Sequence, residues 1–196
     1  MAPSSMRVMS FNARMDTTQP DGSDGGDGAD AWPHRRALLL EDIAAQSPDL
    51  LGMQEVLPHM GAWLREQLEP AGYGFVGEPR GGDGTGEMMA VFYRKSRFTL
   101  LDSGHFWLSE TPSIPGSVGP GFRCERMATW LELRDSSGGG ALLFINTHLD
   151  HGSDSSRVFG AGVIMDYLKA RLAQGSVPVI VTGDMNACML RIIYMR

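Results

Sequence analysis

The chain has 196 residues, 42% hydrophobic and 20% charged, with 25 glycines, 11 prolines and 2 cysteines. That length and apolar content support one globular domain with a real core and exclude wholesale disorder. A formal net charge of −6, from 17 basic against 23 acidic residues, argues against tight nucleic-acid binding through a basic patch, although a bound cation would change the local field. Cys124 and Cys188 cannot form the disulfide framework of a small secreted domain. No run approaches the ~18 to 20 apolar residues of a membrane span, and the first residues lack the apolar centre of a signal peptide. A cytoplasmic, monomeric protein with no membrane span is the expectation.

In chain order, residues 7–11 alternate toward a buried strand ending at Asn12, and residues 16–30 are a Gly/Asp-rich loop with almost nothing to bury. Pro33 suits the first turn of a helix in which Ala37, Leu38, Leu40, Ile43 and Ala44 recur at helical spacing, and Ser47-Pro48-Asp49 stops it. Leu50-Leu51-Gly52-Met53 is a short apolar strand that delivers Gln54 and Glu55 at its end, before an amphipathic helix around Met60, Trp63, Leu64 and Leu68. Residues 73–76, 88–93, 98–101 and 127–133 are short aromatic, β-branched or alternating segments between Gly- and Pro-rich turns, which predicts antiparallel strands. A hairpin loop at residues 135–140 precedes a strand over 142–147 with His148 at its end. A helix over 158–172 follows, then a buried strand over 177–182 that runs into Gly183-Asp184-Met185-Asn186.

Polar residues therefore gather at four strand ends, where functional groups converge in layered α/β proteins. Each has a plain structural reading: Glu55 as a helix-capping acid, Asn12 as a turn former, His148 as a structural histidine and Asp184-Met185-Asn186 as an Asx turn. Three other patterns carry no site. The stretch over residues 25–33 matches a calcium β-roll nonapeptide but occurs once, with nothing to stack on. His148 and His151 diverge at a strand end and match no zinc signature, and residues 81–86 lack the G-K-[ST] ending of a phosphate-binding loop.

The ordered set Met9-Ser10-Phe11-Asn12, Asp49-Leu50-Leu51-Gly52-Met53-Gln54-Glu55, Asn146-Thr147-His148-Leu149-Asp150-His151 and Gly183-Asp184-Met185-Asn186 resembles the endonuclease/exonuclease/phosphatase family, of which deoxyribonuclease I is a member. The segment Phe106-Trp107-Leu108-Ser109-Glu110-Thr111-Pro112 is similar to a bacterial and fungal subgroup. The resemblance implies a four-layered α/β sandwich of two packed mixed sheets with helices outside. It also implies a metal-dependent phosphoesterase in which water attacks a phosphomonoester or phosphodiester in line.

By the same resemblance, Mg²⁺, with Mn²⁺ an alternative, is held by Glu55 with Asn12 close by, as a hard cation prefers oxygen ligands. Asp184 orients or deprotonates the water, Asn186 bonds the phosphate or its metal, and His148 donates to a phosphate or leaving-group oxygen. Glu87 resembles the acid that pairs with that histidine, its alternative being a solvated acid after a glycine turn. Arg126 is a candidate phosphate contact or an ordinary surface ion pair. The acidic balance tilts the substrate from long nucleic acids toward a small phosphorylated molecule.

The family pattern runs on to a terminal Ser-Asp-His, whereas residues 187–196 are an atypical, largely apolar tail and no histidine follows His151. The expectation is a single domain over residues 1–196 that lacks the family's C-terminal part, with an unpaired sheet edge. A catalytically impaired remnant that keeps a metal or phosphate half-site is the alternative function.

Overall fold

In a computed structural model, residues 5–18, 22–23, 25–138, 140–173 and 175–187 are described. Their strands are β1 (Val8–Asn12), β2 (Leu50–Val56), β3 (Tyr73–Val76), β4 (Met88–Arg94), β5 (Phe98–Trp107), β6 (Met127–Asp135), β7 (Gly140–His148) and β8 (Val179–Asp184). The α-helices are α1 (Trp32–Gln46), α2 (Pro58–Leu68) and α3 (Asp154–Leu172), and a single 3-10 turn, Gly28–Asp30, interrupts the expected loop. Within the expected tail, residues 188–196 lie outside the described residues. No described helix is long and apolar enough to cross a membrane.

Local chemistry accounts for the helix ends. Pro33 occupies the first turn of α1, where its missing N–H is no loss. Ser47 ends the helix in a left-handed conformation (φ 46°) with its N–H bonded to the Ile43 carbonyl at 2.8 Å. α3 begins four residues before the expected Val158, because Ser153 Oγ accepts the Ser156 N–H at 3.1 Å and caps a polar first turn that apolar spacing does not reveal. β5 runs past the expected residue 101 to Trp107, held by its ladder to β6 across a register shift between Leu100 and Asp102.

The strands form two mixed sheets. One has the order β1-β2-β4-β3 and the other β5-β6-β7-β8; β1 and β2 are parallel, as are β7 and β8, while the remaining pairs are antiparallel. Three apolar clusters give the layers. Ile43 of α1 and Met60 and Leu64 of α2 pack on Leu51, Met53, Ala90 and Phe92 of the first sheet. Leu50 and Val91 meet Leu131, Leu133 and Phe144 between the sheets. Ile164 and Leu168 of α3 cover Leu143 and Ile145 on the outer face of the second. Helix, sheet, sheet, helix is the four-layered sandwich, with β1 and β3 as outer strands of one sheet and β5 and β8 of the other among the described residues.

A polar staple joins the sheets. Asn146, fully buried, donates from Nδ2 to the carbonyls of Met53 (2.8 Å) and Ala90 (3.0 Å) and accepts from Gln54 Nε2 at 2.7 Å on Oδ1, with Thr182 Oγ1 3.2 Å from the same oxygen. The approach requires glycine at 52, where a Cβ would sit 2.4 Å from Thr182 Oγ1 and 2.6 Å from Asn146 Oδ1. Because strand side chains alternate, Asn146 and His148, Thr182 and Asp184, and Ser10 and Asn12 each share the interior face, so the staple aims the next inward residues at one end of the sandwich.

Candidate active site

Asn12, His148 and Asp184 reach this end by simple alternation. Glu55 does not, since a regular strand would put it on the face of Met53, against the helices. The register shift between Met53 and Val56 and a left-handed Glu55 (φ 61°) turn its carboxylate inward, as bulges do beside functional sites.

The carboxylates of Glu55 and Asp184 and the His148 ring offer atoms within 4.8 Å of one another. Asn12 Nδ2 bridges the acids, donating to Glu55 Oε1 at 2.7 Å and Asp184 Oδ2 at 2.9 Å. The second Glu55 oxygen accepts the Met15 N–H at 2.9 Å, and Asn12 Oδ1 accepts the Arg14 N–H at 2.7 Å. Asn186, left-handed at φ 48°, donates its N–H to Asp184 Oδ1 (2.9 Å) and its Nδ2 to the Leu149 carbonyl (2.8 Å). Close approach also shapes Gly183, where a Cβ would lie 2.4 Å from the Thr147 carbonyl oxygen, so glycine lets β8 bring Asp184 beside β7.

His148 is buried between two acids, its Nε2 3.8 Å from Asp184 Oδ2 and its Nδ1 3.8 Å from Glu87 Oε2, both beyond direct hydrogen-bond length. Burial, reinforced by the nearby Arg126 guanidinium, lowers its pKa to about 4, so the ring is neutral at neutral pH. For Asp184, burial works against the charged form, but hydrogen bonds from Asn12 and the Asn186 N–H prevail and hold it below the usual carboxylate range. Glu87 is 7% exposed, so it is no solvated acid; burial raises its pKa against the pull of Arg80, whose Nη1 donates to Oε2 at 2.8 Å.

Arg126 is not a surface ion pair either. It is 3% exposed, donates from Nη2 to His151 Nδ1 at 2.8 Å and leaves Nε and Nη1 without hydrogen-bond partners, Asp150 Oδ2 standing 3.7 Å from Nε. An arginine can only donate, so His151 Nδ1 is the acceptor in this contact. Arg80, seven residues from Glu87, and the Arg126–His151 contact escape the sequence reading because they lie on loops, where periodicity is silent.

The donor set fits a divalent cation. Two carboxylates meet beside a neutral imidazole, with the Asn12 carboxamide donating from Nδ2 to both acids, and carboxylate clusters of that kind suit hard cations such as Mg²⁺ or Mn²⁺.

Solved structures share the fold. An endonuclease/exonuclease/phosphatase family protein from Bacteroides thetaiotaomicron superposes with a TM-score of 0.85 at 31% identity, over 97% of this chain and 66% of that one. A mannosyl-6-phosphatase from the same organism gives 0.85 at 32% identity, over 96% and 68%. Among curated proteins, Xenopus laevis Nocturnin is 28% identical over 84% of this chain, and Arabidopsis thaliana carbon catabolite repressor protein 4 homolog 3 is 28% identical over 80%. The chain spans 42% and 33% of the lengths of those two proteins. The model of the endonuclease/exonuclease/phosphatase family matches residues 9–194, and the chain belongs to that family.

Proposed function

We propose that the chain hydrolyses a phosphate ester by in-line attack of water on phosphorus, with Mg²⁺ or Mn²⁺ held by Glu55 and with Asn12 close by, its Nδ2 orienting that carboxylate. The observation that carries this reading is the convergence of Glu55, His148 and Asp184 within 4.8 Å from three strands of two sheets. A cation bound there would offset negative charge developing on the phosphate oxygens. Asp184, charged at neutral pH, accepts a hydrogen bond from the attacking water and draws off its proton. Asn12 and the Asn186 N–H fix the orientation of that carboxylate. His148, neutral in the free chain, takes up a proton as the negative phosphate arrives and donates it from Nε2 to a phosphate oxygen, its Nδ1 side facing Glu87 Oε2 3.8 Å away. Asn186 has a second Nδ2 hydrogen and Arg126 two uncommitted nitrogens for the phosphate.

The substrate in this reading is a small phosphomonoester. Support comes from the net charge of −6 and from the likeness to a mannosyl-6-phosphatase. A monomer in a reducing, cytoplasmic setting belongs to the same proposal, in keeping with the free, partly exposed Cys124.

The test is release of inorganic phosphate from hexose 6-phosphates, against release of p-nitrophenol from bis(p-nitrophenyl) phosphate, with and without Mg²⁺. Metal-dependent monoester turnover that Asp184→Asn lowers by ~10² to 10⁴-fold is expected. Preference for the diester would overturn the substrate class, and no turnover by the folded, metal-loaded chain would favour a remnant that only binds.

A further inference from the structure

Two strained residues meet at the metal end of the site: Arg14 and Glu55 both hold left-handed backbone, at φ 50° and 61°. They are linked through the segment after β1, since the Arg14 N–H holds the Asn12 carboxamide at 2.7 Å and the Met15 N–H holds Glu55 at 2.9 Å. Strain of this kind persists only where the surroundings over-determine it. The determinant is Arg35. From the first turn of α1 its Nη1 donates to the Ala13 carbonyl and its Nη2 to those of Arg14 and Met15, while Nε donates at 2.7 Å to the Asp30 carbonyl. One half-buried guanidinium thus gathers three consecutive carbonyls and ties them to the far end of the 16–30 loop. A cation in the first turn of a helix opposes the helix dipole, and α1 has no acid there to compensate, so Arg35 sits where a specific task outweighs local preference.

We propose that Arg35 is a positioning residue for the Asn12–Glu55 half of the site, acting through the backbone of residues 13–15. This rests on the metal reading above. Without the guanidinium, Arg14 is released from its left-handed conformation, the Arg14 and Met15 N–H groups turn away, and Glu55 and Asn12 lose the bonds that orient them. Arg35 touches neither acid, so the prediction concerns their arrangement rather than their chemistry.

The experiment titrates Mn²⁺ alone into the full chain by calorimetry and follows amide hydrogen exchange at Arg14 and Met15. Arg35→Gln is expected to weaken Mn²⁺ binding by about 10- to 100-fold, as loss of outer partners of metal ligands does, and to speed exchange at those two amides. Arg35→Lys, which keeps the charge but presents one nitrogen in place of three, is expected to fall between. Arg36→Gln, at a side chain that stacks on Trp63 5.3 Å away, is expected to match the parent. The parent's affinity in folded Arg35→Gln, or in Arg35→Lys should the first fail to fold, would overturn the proposal. Glu55→Gln separates the two readings: if it binds Mn²⁺ like the parent the metal assignment itself fails, whereas loss there with none in Arg35→Gln overturns the role of Arg35 alone.

Discussion

Asn146 is the most exacting test of how the two sheets are joined. Asn146→Ala removes the donor to the Met53 and Ala90 carbonyls and the acceptor of Gln54 Nε2 and Thr182 Oγ1, four bonds of 2.8, 3.0, 2.7 and 3.2 Å in a fully buried place. Gln54 Nε2 keeps weaker partners, Ser10 Oγ at 3.3 Å and the Gly52 carbonyl at 3.4 Å, so the two carbonyls bear most of the loss. At ~1 to 3 kcal/mol for each buried group left unpaired, the total is about 3 kcal/mol. Asn146→Asp should cost more, since it sets an acceptor against two carbonyl oxygens and buries an uncompensated charge, a change worth ~3 to 5 kcal/mol. Urea unfolding followed by tryptophan fluorescence, with midpoints compared at a common slope, gives the order parent, Ala, Asp. A loss under ~0.5 kcal/mol in Asn146→Ala, the range of inert surface changes, would refute the idea that this residue staples the sheets.

Gly183→Ala places a methyl group 2.4 Å from the Thr147 carbonyl oxygen, which forces β8 and Asp184 away from β7; a fall of about 10²-fold in kcat is expected from such a misplacement, and an unchanged kcat would contradict it. NMR titration of the metal-free protein should find His148 taking up its proton near pH 4, with a midpoint near the ordinary 6.5 as the contrary result. The sign follows: the unfolded chain binds that proton below about 6.5 while the native one refuses it, so stability from neutral His148 is complete above 6.5 and fades toward pH 4. At the opposite end of the sandwich, burial works against charged Asp135, but hydrogen bonds from Arg97 and Ser137 hold it below its ordinary 3.8. Its contribution is therefore full above pH 3.8 and lost on further acidification, and urea unfolding at pH 6 and pH 3 should show a smaller acid loss in Asp135→Asn than in the parent.

Leu50 to Met53 was legible because its chemistry is local, an apolar run that stops at polar residues; the run from Val177 to Thr182 marked β8, but the strand begins at Val179 and, at the edge of its sheet among the described residues, leaves Val181 exposed rather than buried. β5 was only partly legible. Its continuation, Asp102-Ser103-Gly104-His105, has no apolar alternation and is a strand because β6 pairs with it on one side. Which strands share a sheet was not readable either, since β3–β4 and β5–β6 are similar antiparallel pairs that belong to different sheets. At the site, Asn12, His148 and Asp184 stand out as polar ends of apolar strands, whereas the backbone turn that aims Glu55 inward leaves no mark in residue type. Asn146 was visible in its motif, but its role between the sheets depends on Gly52 and Ala90, which only the fold brings near. Arg35 is legible in hindsight as a cation in a helix's first turn.

The most direct measurement is anomalous diffraction at the manganese edge from a crystal of this chain soaked in Mn²⁺. A peak against the Glu55 carboxylate, lost in Glu55→Gln, is the result predicted. A peak elsewhere, or the same peak in Glu55→Gln, would contradict the site on which the proposed hydrolysis depends.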